Sequence, residues 1–284
     1  MKFDKLCKII FLKNKYVNSS EANIHILSHS LHFASSVFEG VRVYNMIPFY
    51  LNEHINRLEN SCKILDLELP FSKKKISKIC YEIIKKNKIK DGYLRPIIFR
   101  GTESMSPESI NCSTILSISG WNWKKLYGHN NVSLLVSKWR KPSPEISPVA
   151  AKSSGSYQIS TLAKNFALRK GFDDALMLDV NENVCESSSC NIFWIKNKKV
   201  YTPTTISALD GITRKIVIKI LKSIKIKLEI GDFKLEHIYK ADEVFLTGTA
   251  SEIVNVEKIN KKKYRDFQCT ELIKSKFEKL KSGL

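Results

Sequence analysis

A stretch in the middle of the chain, Pro148 to Lys164, reads PVAAKSSGSYQISTLAK and holds a lysine in unusual surroundings. Lys152 follows small and apolar residues and precedes a Ser-Ser-Gly turn, whereas most lysines here stand in polar runs such as 73–75 and 261–263. Burial disfavours an ammonium and can lower a lysine pKa by about 3 to 5 units, which makes the amine nucleophilic near neutral pH. The pattern suits an imine-forming lysine, and it equally suits a strand-end lysine whose amine reaches solvent.

Two further segments offer donors for an anion. Gly211 stands directly before a helical pattern, where unpaired N–H groups and the Thr213 hydroxyl suit a phosphate. A strand pattern ends in the small, donor-rich turn TGTA at residues 247–250. Both features are also common in turns between secondary-structure elements that bind no ligand.

Glu186 enters a row of serines that ends at Asn191. One interpretation is a solvent-facing acid paired with one of the many lysines. The other is a carboxylate that keeps the ring nitrogen of a cofactor protonated, as a pyridinium acting as an electron sink requires.

Two strand patterns each set an arginine on an otherwise apolar face. Alternation within residues 37–50 places Arg42 on the face of Phe38, and alternation in YLRPIIFR places Arg95 on the face of Tyr93. A guanidinium on a buried face needs an anionic partner. The pair therefore indicates either a carboxylate-binding pocket with apolar walls or two structural ion pairs.

The elements that position these residues follow from periodicity. Strands are expected at residues 8–16, 37–50, 93–100, 115–123, 132–139, 174–179 and 184–196. Helices are expected at 51–65, with Arg57 at the edge of its apolar stripe, at 73–86, at 160–170 and after Gly211. The polar stretch YGHNN predicts a boundary that divides the chain into a domain at 1–128, a linker at 129–134 and a domain at 135–284.

Composition limits the classes of protein. A chain of 284 residues with 43% hydrophobic residues and no long apolar run predicts about two globular domains and no membrane span. Its start does not resemble a secretory signal, so we expect a cytoplasmic protein. The net charge of +19 raises nucleic-acid binding as an alternative, but only eight of the 47 basic residues are arginine, and the lysines are spread along the chain. Seven cysteines without a C-x-x-C pair predict reduced thiols and no metal site.

Taken in chain order, seven segments resemble the branched-chain amino acid aminotransferases, which are class IV (fold type IV) pyridoxal-phosphate enzymes. They are HSLHFASSVFEGVRVY, EHINRLENSCKI, GYLRPIIFRG, PVAAKSSGSY, ALMLDVNENVCESSSCNIF, SALDGITRKIVI and ADEVFLTGTASEI. The resemblance implies a mixed α/β fold with a small N-terminal α/β domain and a larger, mostly β C-terminal domain with flanking helices. It also implies pyridoxal 5'-phosphate as cofactor and a homo-oligomer, either a dimer or a hexamer.

The resemblance assigns a role to each matching residue. Lys152 is implied to form an imine with the cofactor and to carry the proton between the substrate Cα and cofactor C4′. The residues implied for the rest of the cofactor are Glu186 at the ring nitrogen, Tyr157 at the phenolic oxygen, and Arg57, Ile212, Thr213 and Thr249 at the phosphate. Those implied for the substrate are the apolar wall Phe38, Tyr93 and Trp123, the arginines Arg42 and Arg95 near the acidic side chain of glutamate, and backbone donors at Thr249 and Ala250.

The chain departs from the family pattern at three places. Phe33 stands where the bacterial family commonly has a tyrosine that reaches the neighbouring subunit, and Ser187–Ser189 replace a glycine-rich run. The loop after Trp123 is also short, so Tyr127 has no matched role.

The expected activity is transamination between L-leucine, L-isoleucine or L-valine and 2-oxoglutarate. The alternatives on the same fold are D-amino acid aminotransferase and aminodeoxychorismate lyase, and the segments FEGVRVY and YLRP favour the branched-chain group. Outside the enzymes, the alternatives are a basic nucleic-acid-binding protein and a scaffold that has lost its chemistry.

Overall fold

The structure is a computed structural model that describes residues 7–124, 126–129 and 131–283. The described residues form two compact units: unit 1 contains 7–124 and 151–155, and unit 2 contains the rest. Residues 129 and 131–134 of the predicted linker lie in unit 2, where a strand begins at Asn131, while residue 130 is outside the described residues. In the described ranges, no helix is both long and apolar enough to cross a membrane.

Unit 1 is an antiparallel sheet with helices packed on it. Its elements are β1 (Ile9–Leu12), β2 (Lys15–Asn18), a 3₁₀ turn (Ser19–Glu21), α1 (His29–Phe33), β3 (Ser36–Phe38), β4 (Val41–Tyr44), β5 (Ile47–Pro48), α2 (Leu51–Ile64), α3 (Lys73–Lys86), β6 (Gly92–Arg100) and β7 (Thr114–Asn122). The strand order is β2-β1-β7-β6-β4-β5, and β3 also pairs with β6. The apolar stripes of α2 and α3 join the sheet in one core that includes Leu58, Ile83 and Leu94.

The segment 151–155 belongs to unit 1 because it pairs with β3. Ser154 N donates to Ser36 O at 2.9 Å, Phe38 N donates to Lys152 O at 3.1 Å, and Ser153 forms an isolated bridge with Val37. The lysine stretch is thus attached to a sheet strand more than a hundred residues earlier in the chain.

Unit 2 is built on a larger sheet. Its elements are β8 (Asn131–Arg140), α4 (Tyr157–Arg169), β9 (Asp174–Leu178), β10 (Val184–Ser187), β11 (Asn191–Lys196), β12 (Lys199–Pro203), α5 (Ile212–Ser223), β13 (Leu228–Gly231), α6 (Leu235–Tyr239), β14 (Glu243–Gly248), β15 (Glu252–Ile259), β16 (Lys262–Lys263) and α7 (Gln268–Ser282). Strand β10 pairs with both β9 and β11, so the pairings β10-β9-β8-β15-β14-β11-β10 close a ring of strands. The stacked rings of Phe193 on β11 and Phe245 on β14 are fully buried.

The predicted mixed α/β fold is confirmed. The helices at α2 and α3 begin and end within a residue of their expected bounds. Three predicted strands are divided. The region 8–16 turns at Lys13 and Asn14, whose φ values of 48° and 64° form a tight hairpin, and the region 37–50 separates into β3, β4 and β5. The region 184–196 turns after Ser187. Helix α4 starts at Tyr157, three residues before its predicted start at 160.

Candidate active site

Lys152 is held in unit 1 by its backbone. Its N–H donates to Ser61 Oγ at 3.0 Å, and its Nζ lies 4.8 Å from the centroid of the Phe38 ring. Burial, the largest cause, and the Arg57 guanidinium together lower the pKa of Lys152 to about 8, although the Glu39 carboxylate opposes the shift. A substantial fraction of this amine is therefore neutral, and nucleophilic, near physiological pH.

Beside this lysine, a buried carboxylate joins two side chains of α2. Glu39, which is 1% exposed, accepts from Arg57 Nε at 2.7 Å through Oε1 and from a second Arg57 nitrogen at 2.9 Å through Oε2. His54 Nδ1 is 2.7 Å from the same Oε2. Burial alone would raise the pKa of Glu39, but attraction to Arg57 and the hydrogen bond from His54 hold it far below its ordinary value. This cluster fixes a cation next to Lys152.

One face of the unit 1 sheet is a wall of aromatic rings. Tyr93 packs against Trp121 and Trp123, with ring centroids 5.6 and 5.2 Å away. Gly40 leaves room for Tyr93, because a Cβ at position 40 would stand 1.7 Å from the Tyr93 hydroxyl. The wall is suited to an apolar substrate side chain.

The two arginines on this face differ in their partners. Arg42 donates through its two terminal nitrogens to Trp123 O at 2.9 Å and Lys124 O at 2.7 Å, so it holds the residues that directly follow β7. The Arg95 guanidinium lies 4.7 Å from the centroid of the Phe38 ring, and its buried Nε has no hydrogen-bond partner within the described ranges. Of the two, Arg95 has the guanidinium better placed to receive a carboxylate.

In unit 2, Glu186 is buried on β10 and paired with a lysine. Lys141 Nζ lies 2.7 Å from Glu186 Oε1, and Asn191 Nδ2 donates to Oε2 at 3.3 Å. Burial alone would lower the pKa of Lys141, but Glu186 raises it above the ordinary value by attraction and hydrogen bonding, with a smaller contribution from Tyr157 at the start of α4. Of the two interpretations of Glu186, the solvent-facing acid is excluded, because the residue is 5% exposed.

The start of α5 has the features of an anion site. Its N-cap residue is Gly211, which has no side chain that could cap the first turn, and Ile212 and Thr213 are both buried. A Cβ at Gly211 would lie 2.1 Å from Asn191 Oδ1, so only glycine fits while Asn191 holds its place. The helix therefore begins with N–H groups and a hydroxyl that no capping side chain occupies.

Residues opposite one another on adjacent strands share a face, and Glu186, Asn191 and Thr247 form such a row across β10, β11 and β14. The buried Thr247 hydroxyl in this row has no hydrogen-bond partner among the described residues. A buried hydroxyl without a partner is costly, so this row and the α5 start fit a polar, anionic cofactor in unit 2. Thr249 and Ala250 follow in the turn after β14, and Ala250 O accepts from Leu126 N at 3.1 Å.

Two residues noted in the sequence have surroundings of their own. Phe33 ends α1, is 39% exposed and packs on the His29 ring at 4.7 Å between centroids. Tyr127 donates its hydroxyl to Asp174 Oδ2 at 2.7 Å. That bond anchors the short loop before β8 within unit 2.

Sequence reasoning missed several residues that contact the predicted ones. They are Glu39, His54, Ser61, Trp121 and Lys141. The strand alternation placed Glu39 on the opposite face from Phe38 and Arg42, and Lys141 stands in the polar run WRKPSPE, which is typical of solvent-exposed loops. The sequence did contain one signal, which is a charged residue among apolar neighbours. Glu39 stands near Val41, and Glu186, the partner of Lys141, follows Val184 and Cys185. Within the described residues, no group of three or more His, Cys, Asp or Glu side chains could hold a metal ion.

Comparison with known proteins places the chain in a family. A model of the amino-transferase class IV family matches residues 36–259, which include every predicted site residue, and the chain belongs to that family. The chain is 37% identical to a probable branched-chain-amino-acid aminotransferase of Rickettsia felis, over 99% of this chain and 98% of the relative. It is 34% identical to the branched-chain-amino-acid aminotransferase of Escherichia coli strain K12, over 90% and 86%.

Solved structures agree with this placement. The crystal structure of a branched-chain amino acid aminotransferase from T.th., complexed with N-(5'-phosphopyridoxyl)-L-glutamate, superposes with a TM-score of 0.93 at 30% identity. The match covers 98% of this chain and 95% of that one. The two chains therefore share one fold over nearly their whole length.

Proposed function

We propose that this chain is a pyridoxal-phosphate-dependent branched-chain amino acid aminotransferase. It exchanges the amino group between L-leucine, L-isoleucine or L-valine and 2-oxoglutarate, giving the branched-chain 2-oxo acids and L-glutamate. The observation that carries the proposal is Lys152, whose amine has a pKa of about 8 and stands beside Arg57. The names of the Rickettsia felis and Escherichia coli relatives support the branched-chain assignment.

The residues present fit pyridoxal 5'-phosphate. Lys152 supplies the amine for its aldehyde and Arg57 a cation for its phosphate, both in unit 1. In unit 2, Glu186 would pair with the ring nitrogen, and Tyr157 would donate to the phenolic oxygen. The remaining phosphate donors are Ile212 through its N–H, Thr213 and Thr249.

The electron-withdrawing ring of the bound cofactor makes the Cα proton of an amino acid removable. Lys152 removes this proton and returns one on the way back, a task for which a general base with a pKa near the working pH is best suited. Phe38, Tyr93 and Trp123 contact the apolar side chain of the branched substrate. Arg42 and Arg95 bring positive charge toward the acidic side chain of glutamate, and N–H groups at Thr249 and Ala250 bind the α-carboxylate.

A half-reaction assay with a panel of L- and D-amino acids tests the proposal. We expect L-leucine, L-isoleucine, L-valine and L-glutamate to convert the bound cofactor to its amine form, followed by absorbance, while D-alanine does not. Turnover of D-amino acids would indicate a D-amino acid aminotransferase. Release of pyruvate from aminodeoxychorismate without amino transfer would indicate the lyase.

Replacing Arg95 by alanine is expected to reduce kcat/KM for the glutamate half-reaction by roughly 10- to 100-fold, because a hydrogen bond to a charged group contributes about 1.5 to 3 kcal/mol. The leucine half-reaction places no charge at this position and should change less. Both are measured by single-turnover absorbance, with the exposed Arg169→Ala as a matched control. Equal losses with both substrates would mean that Arg95 is structural or binds the shared α-carboxylate.

We further propose a cytoplasmic homo-oligomer. All seven cysteines are free thiols, which supports a reducing compartment. Apolar side chains are exposed along the segment that leads into and includes α1, namely Ile24, Ile26, Leu27, Leu31 and Phe33. A cluster of this kind supports contact with a second copy of the chain.

A further inference from the structure

Lys141 is a buried cation for which neither the sequence pattern nor the proposed reaction supplies a role. It follows β8 directly, and its backbone N–H donates to Leu178 O at 2.9 Å. The side chain is 10% exposed, and its ammonium lies 2.7 Å from Glu186 Oε1. A buried ammonium loses the favourable hydration that a surface lysine retains. The burial of Lys141 beside a single carboxylate therefore calls for an explanation.

Glu186 is fixed at both oxygens. Lys141 holds Oε1, and Asn191 donates to Oε2 at 3.3 Å with the same amide nitrogen that donates to Leu209 O at 2.9 Å. The other groups with an electrostatic effect on Lys141 are Tyr157 and Cys185. Burial raises the pKa of the Cys185 thiol well above its ordinary value, so this thiol is not a competing anion.

We propose that Lys141 is a positioning residue that biases the proton shared by Glu186 and the ring nitrogen of the cofactor toward the nitrogen. The inference rests on the proposed function, which pairs Glu186 with that nitrogen. The proton has two positions: in one the carboxyl O–H is formed and the nitrogen is neutral, and in the other the N–H is formed and the carboxylate is an anion.

Coulomb attraction decides between the two positions. An ammonium in direct contact with the carboxylate stabilises the anion more than it destabilises a positive nitrogen farther away, because the interaction falls with distance. Without the cation, a buried carboxylate is disfavoured and the proton moves to oxygen. A neutral ring nitrogen is a weaker electron sink, so Lys141 would act on the chemistry without touching the substrate.

The test uses the protein loaded with pyridoxal 5'-phosphate that carries ¹⁵N in its ring, and the readout is the ¹⁵N chemical shift. Lys141→Gln keeps a donor for Glu186 but removes the charge. We expect its shift to move toward that of an unprotonated pyridine, while Lys141→Arg keeps the shift of a protonated ring. Lys138→Gln, an exposed position on β8, is the matched control and should resemble the wild type. A protonated ring nitrogen in Lys141→Gln would overturn the proposal.

A second pair of variants compares Glu186→Gln, which leaves the Lys141 ammonium unpaired, with a double variant that has no unpaired buried charge. Glu186→Gln and the double variant Lys141→Gln/Glu186→Gln must give the same ¹⁵N shift if Lys141 acts through Glu186, and a difference between them would overturn the proposal. A merely structural Lys141 would lower stability and leave the shift of Lys141→Gln unchanged. Failure of the wild-type chain to bind the cofactor would count against the proposed function instead, so the two failures are distinguishable.

Discussion

Replacing Lys152 by alanine should abolish transamination while leaving the fold intact. The substitution removes the amine, which serves both to bond to the cofactor and to move the Cα proton as a base. General acid–base catalysis alone contributes about 10²- to 10⁴-fold to a rate, so we expect kcat to fall by at least about 10⁴-fold. The fold should survive because Lys152 is tied to Ser61 and Phe38 through its backbone, which alanine retains.

The measurement is turnover of L-leucine with 2-oxoglutarate, with circular dichroism as the check on folding. Borohydride treatment of the loaded wild type should attach the cofactor to Lys152, which peptide mass spectrometry can locate. Lys170→Ala, an exposed lysine just after α4, is the matched control and should keep full activity. Retained turnover in Lys152→Ala, or attachment to another lysine, would exclude the assigned role.

The sequence predicted those elements whose signals are local. The stripes of α2 and α3 recur at helical spacing, and each helix packs that stripe into the core of unit 1. The division of residues 8–16 was missed because Lys13 and Asn14 both take left-handed φ values. Asparagine favours this conformation only weakly and lysine does not, whereas glycine would have indicated the turn clearly.

The candidate site was predictable where residue type alone implies chemistry. Lys152 stood out by its small neighbours, but Ser61, which accepts its N–H, is 91 positions away, and no local pattern connects them. The Lys141 side chain was missed for the same reason, because its partner Glu186 is reached only when β10 pairs beside β9. Pairings between distant strands determine such contacts, and a single sequence does not reveal them.

The buried cluster of Glu39, Arg57 and His54 predicts a large loss of stability when its charge is unbalanced. Glu39→Gln keeps the size of the side chain but leaves the Arg57 side chain, which is 13% exposed, without its carboxylate. Breaking a buried ion pair from one side costs about 3 to 5 kcal/mol. The measurement is hydrogen exchange of the α2 amides, because α2 carries both Arg57 and His54. The exposed Glu53→Gln on the same helix is the control, with a change below about 0.5 kcal/mol expected.

The loss of stability in Glu39→Gln should become smaller as the pH falls. Contacts with Arg57 and His54 hold the pKa of Glu39 below its ordinary 4.5, so the unfolded chain binds this proton more readily than the folded one. The stability from ionised Glu39 is complete above pH 4.5 and is lost as the pH falls, by about 1.4 kcal/mol per unit. The gap between wild type and Glu39→Gln should shrink accordingly below pH 4.5. Glu39→Gln/Arg57→Met, which leaves no unpaired charge, should be more stable than the single variant. A gap that is independent of pH, or a double variant no more stable than Glu39→Gln, would contradict the charge balance assigned to this cluster.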